Sequence, residues 1–160
     1  MMSSTLIKTL VMMLLVVGSL GIVNEASGSF DTQLDFSTLT FTPIGSNRCR
    51  IEVEGTLMFT GTLVGEAKAK TSALAMASCE EVQANPPGDI PDTFQSKLIF
   101  EGEIDGTDII TDIIWNGSTE AGGSIEKSGM TFPGSGVAGQ LKVIAQVGFG
   151  GEYEGKLKLN

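Results

Sequence analysis

Hydrophobic and polar residues alternate along most of the chain with a period of two. The alternation is cleanest from Arg48 to Phe59, where the odd-numbered positions are mainly apolar and Arg50, Glu52 and Glu54 occupy the even ones. A two-residue period with one charged face is typical of a half-buried β-strand. The odd-numbered apolar phase then continues through a run of alanines to Cys79, which a helix would not preserve. The whole stretch therefore predicts two paired strands.

The midpoint between Cys49 and Cys79 falls in Leu63-Val64-Gly65-Glu66. We predict a turn at these four residues, with Gly65 supplying a positive φ. Antiparallel pairing about this turn would place the two cysteines opposite each other on the inner face, close enough for a disulfide. The thiols are then a structural link between strands.

The remaining segments also favour strands. Residues 31–41 alternate in two phases that a bulge near Ser37 or Thr38 would reconcile. Residues 93–104 alternate cleanly and end at Asp105-Gly106, a strong hairpin signal. Residues 107–116 fit a helix or a strand, and their β-branched isoleucines favour the strand. Further alternating segments lie within residues 124–132, 141–149 and 152–159. Prolines and glycine predict that residues 79–92 form an irregular acidic surface loop.

These segments predict an all-β fold, an antiparallel meander closed into a single barrel of about eight strands, because closure removes exposed sheet edges. No helix is predicted.

The N-terminal segment has the features of a secretory signal peptide. Lys8 precedes an uncharged apolar run, and small residues follow at Ala26 and Gly28. We predict a signal peptide over 1–28, cleaved near Gly28, and a single β-barrel domain over 29–160. The alternative is an uncleaved anchor, but the apolar run is shorter than the roughly 20 residues of a spanning helix. The predicted location is secreted or periplasmic, with no stable membrane anchor after cleavage.

The net charge of −9 is unchanged when Lys8 and Glu25 are removed with the signal peptide. An acidic surface disfavours nucleic acid and anionic membranes as partners. Two cysteines in an exported chain are consistent with one disulfide.

Three segments, FTGTLVGEA, FEGEIDGT and LKVIAQVGFGGEYEGKL, resemble small secreted β-barrel proteins related to the allene oxide cyclase barrel. The resemblance covers roughly residues 55–159. It implies an eight-stranded antiparallel barrel, and it implies trimers as in the plant enzymes. It transfers no catalytic residue. Lipocalins have a related barrel, but the Gly-x-Trp motif expected of a lipocalin is missing near the mature N-terminus.

The sequence offers little for catalysis. There is no histidine, so Ser-His-Asp triads, Cys-His dyads and His-ligated metals are excluded. No catalytic residue, metal site or cofactor is predicted. The acidic residues of the barrel strands have outward parity, and those of the proline-rich loop are interpreted as solvated, with calcium binding as the less favoured reading. Asn116-Gly117-Ser118 is a glycosylation sequon that matters only in a eukaryotic host.

Inward parity identifies a set of candidate barrel-lining residues: Phe36, Ile51, Phe59, Ala69, Ala73, Ala75, Phe94, Phe100, Val143 and Tyr153. The alanines would either leave a cavity for an apolar ligand or make room for the phenylalanines opposite. The second interpretation is favoured, because small barrels are filled by side chains.

Several apolar residues have outward parity instead. Met58, Leu74, Met76, Ile99 and Ile144 are candidate interface residues. A contiguous apolar patch marks an interface, so we expect a homo-oligomer, and light scattering that finds a strict monomer would contradict this.

Three functions remain open: a non-catalytic binding protein for a small apolar ligand or a partner protein, a cyclase- or isomerase-like enzyme, and a filled-core structural protein of the cell envelope. The missing histidine and the missing inward acid count against the enzyme.

Overall fold

The segments with a two-residue period form strands in the computed structural model, which describes residues 23–160. The part of the predicted signal peptide before Val23 lies outside the described residues. The strands and the single described helix are, in order, β1 (Val23–Pro43), β2 (Cys49–Gly61), β3 (Leu63–Ala75), α1 (Cys79–Gln83), β4 (Asp92–Ile104), β5 (Thr107–Thr119), β6 (Ser124–Thr131), β7 (Val137–Gln146) and β8 (Gly150–Leu159).

Consecutive strands pair antiparallel, and β8 returns to pair with β1, so the sheet is a closed barrel of eight strands. This confirms the predicted all-β meander. The closing pair runs from Val23 opposite Lys158 to Asp31 opposite Gly150. Residues 23–28, which precede the predicted mature start, are thus part of β1, and Ala26 is buried.

The predicted bulge in β1 is present, as a register shift between Asp35 and Thr40. Side-chain hydrogen bonds hold it in shape. The Ser37 backbone N–H donates to Asp35 Oδ1 at 3.0 Å, and Thr38 Oγ1 donates to the Asp35 carbonyl at 2.7 Å. Such local bonds replace ladder bonds that a regular strand would make.

The hairpin between β4 and β5 forms as predicted, and residues 107–116 lie in a strand. Asp105 and Gly106 both have positive φ, 51° and 79°, as a two-residue hairpin turn requires.

The hairpin between β2 and β3 differs from the prediction. The strands meet at Gly61 and Leu63, and Cys49 pairs with Ala75 rather than with Cys79. The predicted turn at residues 63–66 is therefore wrong, since these residues lie inside β3. The turn lies two residues earlier in the chain than predicted. Because this shift is an even number of residues, every side chain stays on its predicted face, and the alternation pattern alone cannot distinguish the two turns.

The disulfide between Cys49 and Cys79 is confirmed, but helix α1 makes it rather than strand pairing. The chain leaves β3 at Ala75 and turns back, so that the two Cα atoms lie 4.9 Å apart. Ser78 caps α1, because its Oγ accepts a hydrogen bond from the Glu81 N–H at 3.2 Å.

The segment 79–92 was predicted to be irregular and on the surface; most of it is exposed as predicted, but the expectation that it is wholly irregular is wrong. Its first residues form α1, because its prolines begin only at Pro86 and leave room for one helical turn. Val82 is buried beside Cys49, Ala75, Ala77 and Cys79 in a small apolar cluster next to the disulfide. The segment therefore covers one end of the barrel, which we call the helix end.

Candidate ligand-binding cavity

The barrel contains a partly open cavity of about 450 Å³ beneath the helix end. Its walls come from β1 to β6, and its cover comes from α1, the loop 84–91 and the turn between β7 and β8. Pockets that hold small ligands are of this size and are mainly apolar. The interior is therefore not filled along its whole length, contrary to the favoured sequence interpretation.

Apolar side chains make most of the cavity wall. The larger ones are Leu34, Leu39, Phe41, Ile51, Leu57, Val82, Ile90, Phe94, Trp115 and Ile125. Ala69 and Ala73 lie on the same wall, where their small side chains leave space.

The predicted barrel-lining residues separate into groups. Ile51, Ala69, Ala73 and Phe94 line the cavity. Phe59, Phe100, Val143 and Tyr153 are buried in the filled part of the barrel, and Ala75 packs in the cluster next to the disulfide.

Phe36 was predicted to point inward, but 58% of its surface is exposed. It lies in the bulged part of β1, where the register shift displaces it to the rim of the cavity.

Aromatic rings form the floor of the cavity. Trp115 makes edge-on contacts with Phe94 and Phe30, with ring centres 5.1 and 5.4 Å apart. Its Nε1 donates a 2.9 Å hydrogen bond to Ser128 Oγ, which donates in turn to the Val143 carbonyl. The indole is therefore held in one orientation, with its ring against the cavity.

Tyr153 lies beyond these rings, in the part of the barrel that is filled by side chains. Its hydroxyl donates to the Thr60 carbonyl at 2.8 Å and accepts from the Leu63 N–H at 2.9 Å. Burial raises the pKa of Tyr153 above 10.0, so the phenol stays neutral and keeps both bonds. Its role is structural.

Few polar groups face the cavity. Thr71 and Ser96, on adjacent strands, share a hydrogen bond of 2.6 Å between their hydroxyls, so they satisfy each other. Asp92 lies nearer the helix end, at the start of β4 and opposite Thr119 of β5.

Asp92 is the unusual group of the site. Its Oδ1 is buried and has no hydrogen-bond partner among the described residues. Burial raises the pKa of Asp92 to about 6, and a hydrogen bond with the Thr119 side chain opposes the rise. Buried polar atoms are nearly always paired, so this oxygen calls for an explanation.

Sequence reasoning missed Asp92, because it was grouped with the acids of the proline-rich loop. The expectation that no acid faces inward is wrong. The signal was present, since Asp92 shares the even-numbered phase of Phe94, Ser96 and Leu98, all of which point inward.

The candidate interface residues lie on the outer face, on β2, β3, β4 and β7 and just past the end of β3. Charged residues stand opposite most of them in the neighbouring strands: Asp31 and Glu66 beside Met58, Arg50 beside Leu74, Lys68 and Asp112 beside Ile99, and Glu152 beside Ile144. Met76 follows β3 and is 68% exposed.

The chain matches no protein-family model and no curated protein. Within residues 23–160, no helix has the length and apolar character to cross a membrane. No group of three or more Cys, Asp or Glu side chains in this part of the chain is arranged to hold a metal ion.

Proposed function

We propose that this protein is exported and binds a small apolar molecule inside its barrel without transforming it. The cavity of about 450 Å³ is the observation that supports the proposal most directly. A barrel that served only as structure would gain stability by filling this space, because empty volume next to apolar side chains forgoes packing energy.

The cover of the cavity supports the same function. The disulfide ties α1 to β2, and Val82, Pro86, Pro87 and Ile90 lie over the opening. A disulfide is typical of proteins outside the reducing cytoplasm, which agrees with export.

Filling the cavity tests the proposal. Ala73→Phe would place a ring where the ligand lies, and we expect it to weaken binding of a neutral apolar probe such as decanol at least about tenfold. Trp115, the single tryptophan and part of the cavity wall, reports binding through its fluorescence.

The matched control is Ala138→Phe, which adds the same ring to an exposed position of β7. Equal affinity of decanol for Ala73→Phe and for the unchanged protein, or no binding to either, would overturn the proposal. Native mass spectrometry of protein purified from its own host would then identify the natural ligand and count the subunits of the expected homo-oligomer.

An enzyme of the cyclase or isomerase type is the second candidate, favoured by Asp92. A carboxyl group with a pKa raised to about 6 in an apolar cavity is suited to general acid–base chemistry. The retained ligand decides between the two functions. An Asp92-dependent exchange of ligand hydrogen for deuterium in heavy water would indicate catalysis, and an unchanged ligand indicates binding alone.

A further inference from the structure

Charge is distributed unevenly over the cavity wall, because its one ionisable side chain among residues 23–160 lies at the helix end. Among the described residues that line the cavity, Asp92 is the sole ionisable side chain, and the remaining wall is apolar or carries neutral polar groups. A ligand that fits this cavity therefore meets a carboxylate at the helix end and apolar side chains elsewhere.

Among the described residues that face Asp92 from the neighbouring strands and from the covering segment, none carries a compensating positive charge. The strands on either side face it with Ala75 of β3 and Thr119 of β5. The acids of the covering segment, Glu80, Glu81 and Asp89, are exposed. No lysine or arginine is present from Cys79 to Pro91, so the covering segment cannot supply a cation.

We infer that the ligand carries a cationic amine at one end of an apolar body, and that the amine pairs with the carboxylate of Asp92, which lines the cavity. The inference rests on the proposed binding function and names the class of ligand. An ammonium group would supply the positive charge that the cavity wall lacks, and charge-assisted hydrogen bonds to a carboxylate are stronger than neutral ones.

The same geometry selects against anions. A fatty acid would place its carboxylate beside Asp92 with no cation between them, which is a repulsive arrangement in an apolar site. A neutral alcohol could donate a hydrogen bond to the carboxylate but would leave its charge unpaired. The expected order of affinity is amine, then alcohol, then carboxylate.

Three probes with the same chain test this order: decylamine, decanol and decanoate, each titrated below its micelle concentration and followed by Trp115 fluorescence. At about pH 7.5 the carboxyl group of Asp92 is ionised, because its pKa is about 6. We expect decylamine to bind at least about tenfold more tightly than decanol, and decanoate to bind most weakly.

Asp92→Asn removes the charge and keeps the shape. We expect it to abolish the preference for decylamine over decanol, because the charge that distinguishes the two probes is gone. The matched control is Asp89→Asn, an exposed acid three residues earlier, which should retain the preference.

A second readout does not depend on a variant. At about pH 5 Asp92 is mostly protonated while decylamine stays charged, so the unchanged protein should lose its preference for decylamine over decanol. This measurement keeps the inference testable if Asp92→Asn fails to fold.

Equal binding of decylamine and decanol at about pH 7.5 would overturn the inference and leave the binding function standing. A preference for decylamine that survives Asp92→Asn would overturn it too. If none of the three probes binds, both the inference and the proposed function fail.

Discussion

Asp92 links the stability of the protein to pH. Its pKa is about 6 in the folded protein against 3.8 as the ordinary value, so the folded state holds the proton more tightly than the unfolded state. The stabilisation from this group is fully present below pH 3.8 and is lost as the pH rises through about 6. In the unliganded protein above that pH, an ionised carboxylate lies buried without a partner for Oδ1.

Asp92→Asn should therefore stabilise the unliganded protein at about pH 7.5 by roughly 2 kcal/mol, with the difference shrinking towards pH 4. Denaturant unfolding at several pH values measures this change in the free energy of unfolding. Asp89→Asn is the control and should follow the unchanged protein. Parallel pH profiles for Asp92→Asn and the unchanged protein would contradict the assignment.

Residue-level prediction from sequence succeeded where alternation was unbroken. Phe94, Phe100 and Val143 lie in regular strands and point inward as their parity required. Phe36 was misplaced because a bulge interrupts the phase just where it lies. Asp92 was missed because prolines next to it suggested that the strand had not yet begun.

At the scale of elements, the disulfide joins β2 to the segment that covers the cavity. It closes a loop of 30 residues and should stabilise the fold by about 3–4 kcal/mol in the chain-entropy model. Without it, α1 would be held mainly by Val82 and the alanines packed around it.

Replacing Cys49 and Cys79 together by alanine should thus lower the free energy of unfolding by about 3 kcal/mol. It should also speed dissociation of decanol, because the cover of the cavity is no longer fastened. Denaturant unfolding and stopped-flow fluorescence measure the two effects. Reduction of the unchanged protein should reproduce them, and reduction of the double variant should change nothing further. An unaltered unfolding midpoint would show that the disulfide does not stabilise the cover.

Elements were predictable where local chemistry decides them. The turn at Asp105-Gly106 follows from two residues that tolerate positive φ. The turn near Gly61 could not be located in the same way, because the alternation continues through it without a change of phase. The assumption that the two cysteines face each other then placed the predicted turn two residues too late. Helix α1 depends on a capping serine and on its packing against the barrel, which no periodicity records.

At the scale of the whole molecule, the barrel depends on the pairing of β1 with β8. Nine residue pairs join these strands, and six of them involve residues 23–28. Gly28 also lies directly under the Tyr153 ring, where a Cβ would come within 2.4 Å of the hydroxyl. Processing near Gly28 would leave only the pairs from Ser29 to Asp31. We therefore expect cleavage before Val23, where Ser19 and Gly21 provide small residues.

N-terminal sequencing of exported protein tests this expectation, and a mature chain that begins at Ser29 would contradict it. A version that begins at Ser29 should unfold at a temperature at least about 5 °C lower than one that begins at Val23, because it exposes the edge of β8 and loses buried Ala26.

The closing pair also sets the order of events as the chain is made. Seven of the eight pairings join strands that are neighbours in the sequence, and we expect these pairings to form first because their contacts are local. The eighth joins the first described strand to the last, so β1 must wait until β8 has been synthesised and delivered. Before β1 and β8 pair, the sheet would be open, with two unpaired edge strands and an accessible inner face. We therefore expect folding to end with the pairing of β1 and β8, and a molecule already lying on the inner face would be enclosed at that step.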